Sequence, residues 1–142
     1  IAPDYVQLKC DGQNRSGIGI SPRRSEGIIL SYDVANNLLT VVMYIKPSGL
    51  RGYLANSWRR NSEMFDGDAI SLYNNGPLAR TSMVAAPFYE ISTYSPALEL
   101  AAGKSQFHLQ RTFHFHGSEY DLGLISYKLA GISIGQLRGG EK

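Results

Sequence analysis

The sequence predicts an all-β protein, an antiparallel β-sandwich with one late α-helix, and three observations carry that prediction. Apolar residues recur at every second position in short runs. Clusters of Gly, Pro and Asn separate the runs, and a helical period emerges only after residue 117. About seven or eight strands fit this punctuation. The chain of 142 residues is read as a single β-sandwich domain spanning 1–142, and a compact fold of that size buries roughly 68–70% of the surface its unfolded chain exposes.

The elements follow in order. Residues 5–8 offer a short strand before the Asp11-Gly12 turn signal. Ser16, Ile18 and Ile20 then alternate with Gly17 and Gly19. Glycines at those places either let a ligand or another backbone come close, or mark a bulge or tight sheet packing. Residues 27–31 and 38–45 form a hairpin across the connector SYDVANN, because Asp33, Asn36 and Asn37 cap turns and tolerate left-handed backbone angles. The run 38–45 (LLTVVMYI) is apolar on both faces, so it is placed centrally, with Leu39, Val41, Met43 and Ile45 closing the core. Pro47-Ser48-Gly49 ends it.

Residues 52–58 are less regular, and 59–68 read as a loop. A strand over 69–73 closes at the turn Asn74-Asn75-Gly76-Pro77, and 78–86 form a loop. A strand over 88–94 breaks at Ser95-Pro96 and continues over 97–100 to the turn at 102–104. Residues 106–117 (QFHLQRTFHFHG) then form the longest strand, paired as a hairpin with 88–94. Ser118 caps the single helix, Glu119 and Asp121 suit its first turn, and Leu122, Ile125 and Leu129 give an apolar stripe that ends before Gly131. Residues 132–137 dock as one more short element, and 138–142 fray.

Composition excludes several function classes. The net charge of +2 comes from 14 basic and 12 acidic residues, too even a balance to call for nucleic acid. The adjacent Arg59 and Arg60 form either an anion site or a solvated loop. Cys10 is the only cysteine, so no intrachain disulfide forms. No apolar run approaches the roughly 20 residues that cross a bilayer as a helix. No serine-hydrolase, P-loop or dinucleotide signature occurs, and no cofactor is expected.

The long strand concentrates the candidate chemistry. Taken two residues at a time, it puts Phe107, Leu109, Arg111, Phe113 and Phe115 on one face, and all three histidines, His108, His114 and His116, on the other. Imidazoles on a shared face can hold a metal, bond neighbouring side chains, or bind a polyhydroxylated ligand, since neutral imidazole both donates and accepts hydrogen bonds. No HExxH, CxxC or carboxylate-rich loop completes a zinc site, so no metal is expected. Arg111 falls among phenylalanines and is read as one half of a structural ion pair with Asp33, Asp66, Asp68, Glu90 or Glu99. Glu90 either shares a pocket with an imidazole as a base and acid pair, or neutralises Arg111, or faces water. Trp58, Tyr53, Tyr73 and Tyr89 supply either flat surfaces for sugar rings or core aromatics.

The succession SGIGISPRR, SYDVANNLLTVV, GDAISLYNNGP, PFYEISTYSPALEL, GKS and RTFHFHG resembles an uncharacterised family of bacterial proteins, often exported, in the galactose mutarotase-like superfamily. The resemblance runs from about residue 12 to 134. It implies a β-supersandwich whose concave sheet binds carbohydrate, with this chain, which opens at Ile1 rather than Met, matching the C-terminal portion of longer members. Aldose 1-epimerases of that superfamily carry a glutamate base shortly before a Pro-containing loop, and Glu90 sits similarly. Their histidine acid belongs to an earlier segment with no counterpart here. The resemblance also implies a periplasmic or secreted location.

The sequence is therefore read as a carbohydrate- or polyol-binding protein using His108, His114, His116, Trp58 and Tyr89, with Glu90 as the base if aldoses are epimerised. The alternative is a noncatalytic structural or interaction subunit. In either case half of a supersandwich exposes sheet edges that call for a homo- or hetero-oligomer.

Overall fold

Six strands and two helices follow the chain in this computed structural model, which describes residues 4–49, 52–55, 63–78 and 87–138. They are β1 (Ser16–Ile20), β2 (Ile28–Asp33), β3 (Leu38–Tyr44), β4 (Ile70–Asn74), β5 (Tyr89–Thr93), β6 (Gln110–His116), α1 (Glu119–Ala130) and α2 (Ile134–Leu137). The result is an all-β architecture with helices, built from two three-stranded antiparallel sheets ordered β1-β4-β5 and β2-β3-β6. The chain divides into two compact units, and each sheet belongs to one of them.

The first unit draws on residues 4–7, 27–45 and 109–138. Its β2–β3 hairpin forms where turn chemistry demands it. The Asp33 carboxylate accepts from the Asn36 side chain (2.7 Å) and from the Ala35 and Asn36 amides (2.9 and 3.2 Å), and Asn37 takes the left-handed conformation with φ 48. These bonds, the Asn36 side chain foremost, hold the Asp33 carboxyl below its ordinary pKa of 3.8. A depressed folded pKa means that the carboxylate stabilises the hairpin fully above the unfolded value, and that this contribution is lost as pH falls through the folded one. The stability difference between wild type and Asp33→Ala is therefore expected to be constant near neutrality and to shrink below pH 3.8 in acid titrations followed by urea unfolding.

Strand β3 is central, as its two-sided apolar run predicts. Leu39 and Val41 on one face, and Thr40, Val42 and Tyr44 on the other, are buried. Leu39 and Val41 pack with Leu122 of α1 and Ile134 of α2, flanked by Leu30, Tyr32 and Phe115. Helix α1 is delimited by local signals. The Ser118 side chain accepts from the Asp121 amide, and Gly131 ends the helix at φ 68 while its N–H bonds the Tyr127 carbonyl. Residues 132–137 dock as expected, with Ile134 buried and a capping box at Ser133.

Several boundaries differ from the sequence reading. Met43 (40% exposed) and Ile45 (61%) do not close the core, because the apolar cluster ends at Val41 on that face. Residues 5–8 and 97–100 are not strands. The long strand starts at Gln110 rather than 106, since its partner β3 ends at Tyr44, opposite Gln110, and one further bond from the Ile45 amide to the Leu109 carbonyl closes the ladder. Strands β5 and β6 are not a hairpin: β5 pairs with β4, and β6 with β3. Past β5 the chain is drawn aside at Pro96, where the Ala97 amide bonds the Gly52 carbonyl and the Gln106 side chain bonds the Pro96 carbonyl.

The second unit draws on residues 8–26, 46–49, 52–55, 63–78 and 87–108. Strand β4 is its centre, and the Asn74–Pro77 turn ties the strand end to the preceding loop. The buried Asn74 side chain accepts from the Gly12 amide (3.0 Å) and donates to the carbonyls of Asn14 (2.9 Å) and Lys9 (3.5 Å). Arg15 bonds Asn75 and the Gly76 carbonyl.

Candidate functional site

The register of the second unit's sheet fixes which side chains share a face. Gly17 lies opposite Tyr73, which lies opposite Glu90; Gly19 lies opposite Ser71, which lies opposite Ser92. Directly opposed residues in antiparallel strands project to the same side. One face therefore carries Tyr73, Glu90, Ser71 and Ser92 in two rows that end on bare glycines. Three strands span about 10 Å and successive rows are about 7 Å apart, the scale of one sugar ring with its hydroxyls.

The polar groups on this face are linked along the sheet. Ser92 donates to the Glu90 carboxylate, the Ser71 and Tyr94 hydroxyls bond at 3.0 Å, and Tyr73 donates to Asn75 at 3.1 Å. Phe88 meets the Tyr73 ring edge-on at 6.0 Å. Gly17 and Glu90 are exposed. The two glycines differ in kind. A Cβ on Gly19 would fall 1.9 Å from Asp68 Oδ2, so that position is closed by a buried carboxylate. At Gly17 a Cβ would meet, among the described residues, only the Leu72 carbonyl at 3.5 Å and Tyr73 at 3.9 Å, and these leave the floor beside Tyr73 open.

The histidines do not assemble on one strand face. His108 precedes β6 and belongs to the second unit, where its Nε2 bonds Thr93 Oγ1 at 2.8 Å. Thr93 projects from β5 on the side opposite Glu90 and Ser92, by the alternation of the strand. Glu90 and His108 are therefore not a facing pair. His114 and His116 share a face of β6, where His114 Nδ1 bonds Thr40 Oγ1 at 2.9 Å and His116 lies exposed opposite Leu38. Tyr89, 44% exposed, also projects away from Glu90. Trp58, with Arg59 and Arg60, lies outside the described residues.

Arg111 stands beside Phe113 on its face of β6 but is exposed, and no ion pair holds it among the described residues. Its strand is at the sheet edge, so water reaches the guanidinium and the burial that would call for a carboxylate does not arise. No cluster of three metal-ligating side chains occurs among the described residues. Burial, with the Asp11 charge adding to it, pushes the Cys10 thiol up, which disfavours the nucleophilic thiolate.

A concavity lies elsewhere in the same unit. It encloses about 470 Å³ between Arg23 and Lys46, with Tyr53 and Pro22, Pro47 and Pro96 in its walls. A smaller hollow of about 260 Å³ adjoins it through Pro22, Arg23 and Tyr53 and reaches Asp66.

A family model matches residues 1–139, nearly the whole chain. The chain belongs to DUF6786, a family of unknown function. No curated protein and no solved structure matches it. Glu90 and Tyr73 were candidates on sequence grounds, and the sheet register brings them into one row. Nothing in the sequence by itself marks Ser71, Tyr94, Arg23 or Lys46. The period-2 reading of ISLYN and YEIST holds Ser71 and Ser92 beside Tyr73 and Glu90, but only the pairing of β4 with β5 joins the two patterns. No helix among the described residues is long and apolar enough to cross a membrane.

Proposed function

We propose that this protein binds a neutral carbohydrate or similar polyol on the polar face of the β1-β4-β5 sheet, as a noncatalytic module of galactose mutarotase-like supersandwich architecture. The observation that carries the reading is the open floor at Gly17 beside Tyr73 and Glu90. The half-buried Tyr73 ring offers a flat apolar edge to sugar C–H groups, and hydroxyls with a carboxylate provide both donors and acceptors for sugar hydroxyls. The resemblance to exported bacterial proteins supports a periplasmic or secreted setting.

Binding is favoured over epimerisation. Ring opening needs a base at the anomeric hydroxyl and an acid at the ring oxygen. Glu90 would serve as the base, but the only histidine of its unit, His108, bonds Thr93 on the other side of β5.

Gly17→Val separates binding from folding. A β-branched residue facing Tyr73 across an edge pair should leave stability unchanged or raise it by up to about 1 kcal/mol. The same side chain fills the floor, so calorimetric titration with a panel of neutral aldoses is expected to show saturable binding to the wild type and none to the variant. Equal binding by both proteins, or no binding of any aldose to the wild type, would overturn the proposal.

A second reading, a structural or interaction subunit of a homo- or hetero-oligomer, is supported by the first unit. Met43, Ile45, Leu109 and Phe113, each at least 40% exposed, lie on or beside the edge strand β6. A monodisperse monomer in ultracentrifugation would count against it.

A further inference from the structure

We infer that the cleft between Arg23 and Lys46 is a separate binding site for a monosaccharide-sized organic anion, a sugar bearing a carboxylate or phosphate group. The inference does not rest on the neutral-sugar platform. Just after β1, Pro22 presets the backbone of a tight turn. The Arg24 and Ser25 amides both bond the Ser21 carbonyl, at 3.0 and 3.1 Å, and Arg23 lies at the turn's exposed tip. Among the described residues its guanidinium has neither an ion pair nor a hydrogen bond. A free guanidinium presents a planar fork of donors that fits carboxylate and phosphate oxygens in pairs.

Lys46 supplies the second charge. Its ammonium donates to the carbonyl of buried Ser25 at 2.7 Å. A neutral carbonyl positions the group without cancelling its charge. Among the described residues that line the cleft, Arg23 and Lys46 are the cations and none is a carboxylate, the carboxylate of Asp66 lying in the adjoining hollow. Like charges in one hollow repel each other, and an anion between them relieves that repulsion. The three prolines and Tyr53 make stiff, largely apolar walls, so a bound ligand would order few protein groups. A volume of about 470 Å³ falls within the range of small-molecule sites, and exceeds what a bare inorganic ion would fill.

The test is calorimetric titration of the whole chain with glucuronate, glucose 6-phosphate, inorganic phosphate and glucose, at low and at physiological salt. At least one sugar anion is expected to bind, about tenfold or more weakly in Arg23→Ala and in Lys46→Ala, since each variant removes a charge-assisted bond. Arg23 is exposed and makes no bond among the described residues, so Arg23→Ala should leave the urea midpoint unchanged, whereas Lys46→Ala takes a donor from the Ser25 carbonyl and should lower it while leaving the protein folded without denaturant. Salt should weaken the binding. Glucuronate and glucose 6-phosphate distinguish a carboxylate from a phosphate ligand. Gly17→Val should leave anion binding intact, which separates this site from the polar sheet face. No binding of either sugar anion, binding indifferent to both variants, or inorganic phosphate binding as tightly as glucose 6-phosphate would each overturn the inference.

Discussion

Leu39→Ala is expected to lower the free energy of unfolding by about 2–5 kcal/mol, the range for emptying a packed core position. Leu39 is 0% exposed, at the centre of the cluster where β3 meets Leu122 of α1 and Ile134 of α2. It sits on the middle strand, between Tyr32 and Phe115 of its neighbours. Ladder bonds on both sides keep the backbone from collapsing into the space left behind, so the lost contacts add to the lost transfer free energy. Urea unfolding followed by circular dichroism measures the change, with the slope unchanged and the midpoint lowered. Leu39→Met, which nearly conserves volume, should cost less than about 1.5 kcal/mol. A loss below about 1 kcal/mol for the alanine variant would mean that the helices do not seal this face.

Asn74→Ala is expected to cost about 1–3 kcal/mol for a different reason. Truncation removes little apolar volume but strips an acceptor from the Gly12 amide and a donor from the Asn14 carbonyl, with the weaker bond to Lys9. A buried polar group left without a partner costs about 1–3 kcal/mol, and Asn74 is 2% exposed. Asn74→Asp should be no better, because it keeps the acceptor but turns a carboxylate towards two carbonyls. Hydrogen exchange at the Gly12 amide would report the loss directly, rising in both variants. The loop held by Asn74 leads into β1, so the same change should weaken sugar binding beside Gly17 by loosening the strand that carries it.

What could be read from the sequence follows the range of the interactions. The β2–β3 hairpin and both ends of α1 are specified within a few residues, by Asp33, Asn36 and Asn37 and by Ser118 and Gly131, and they form as read. Strand partners are set at long range. The alternation in β6 is real, but its length is dictated by where β3 stops, and its apolar side is covered only at one end: Phe115 packs on the core while Phe113 stays 41% exposed. An isolated pattern of alternating residues does not reveal how much of a face another layer will cover. For the same reason Glu90 could be recognised as a carboxylate on a strand, but not the strand beside it. Pairing with β4 rather than β6 exchanges an imidazole neighbourhood for one of Tyr73, Ser71 and Ser92.

Two-dimensional amide NMR during titration with a bound neutral sugar tests the proposed platform most directly. Saturable shifts are expected at Gly17, Gly19, Ser71, Tyr73, Glu90 and Ser92, with β6 unaffected. Shifts confined to His114, His116 and their neighbours on β3 would contradict it.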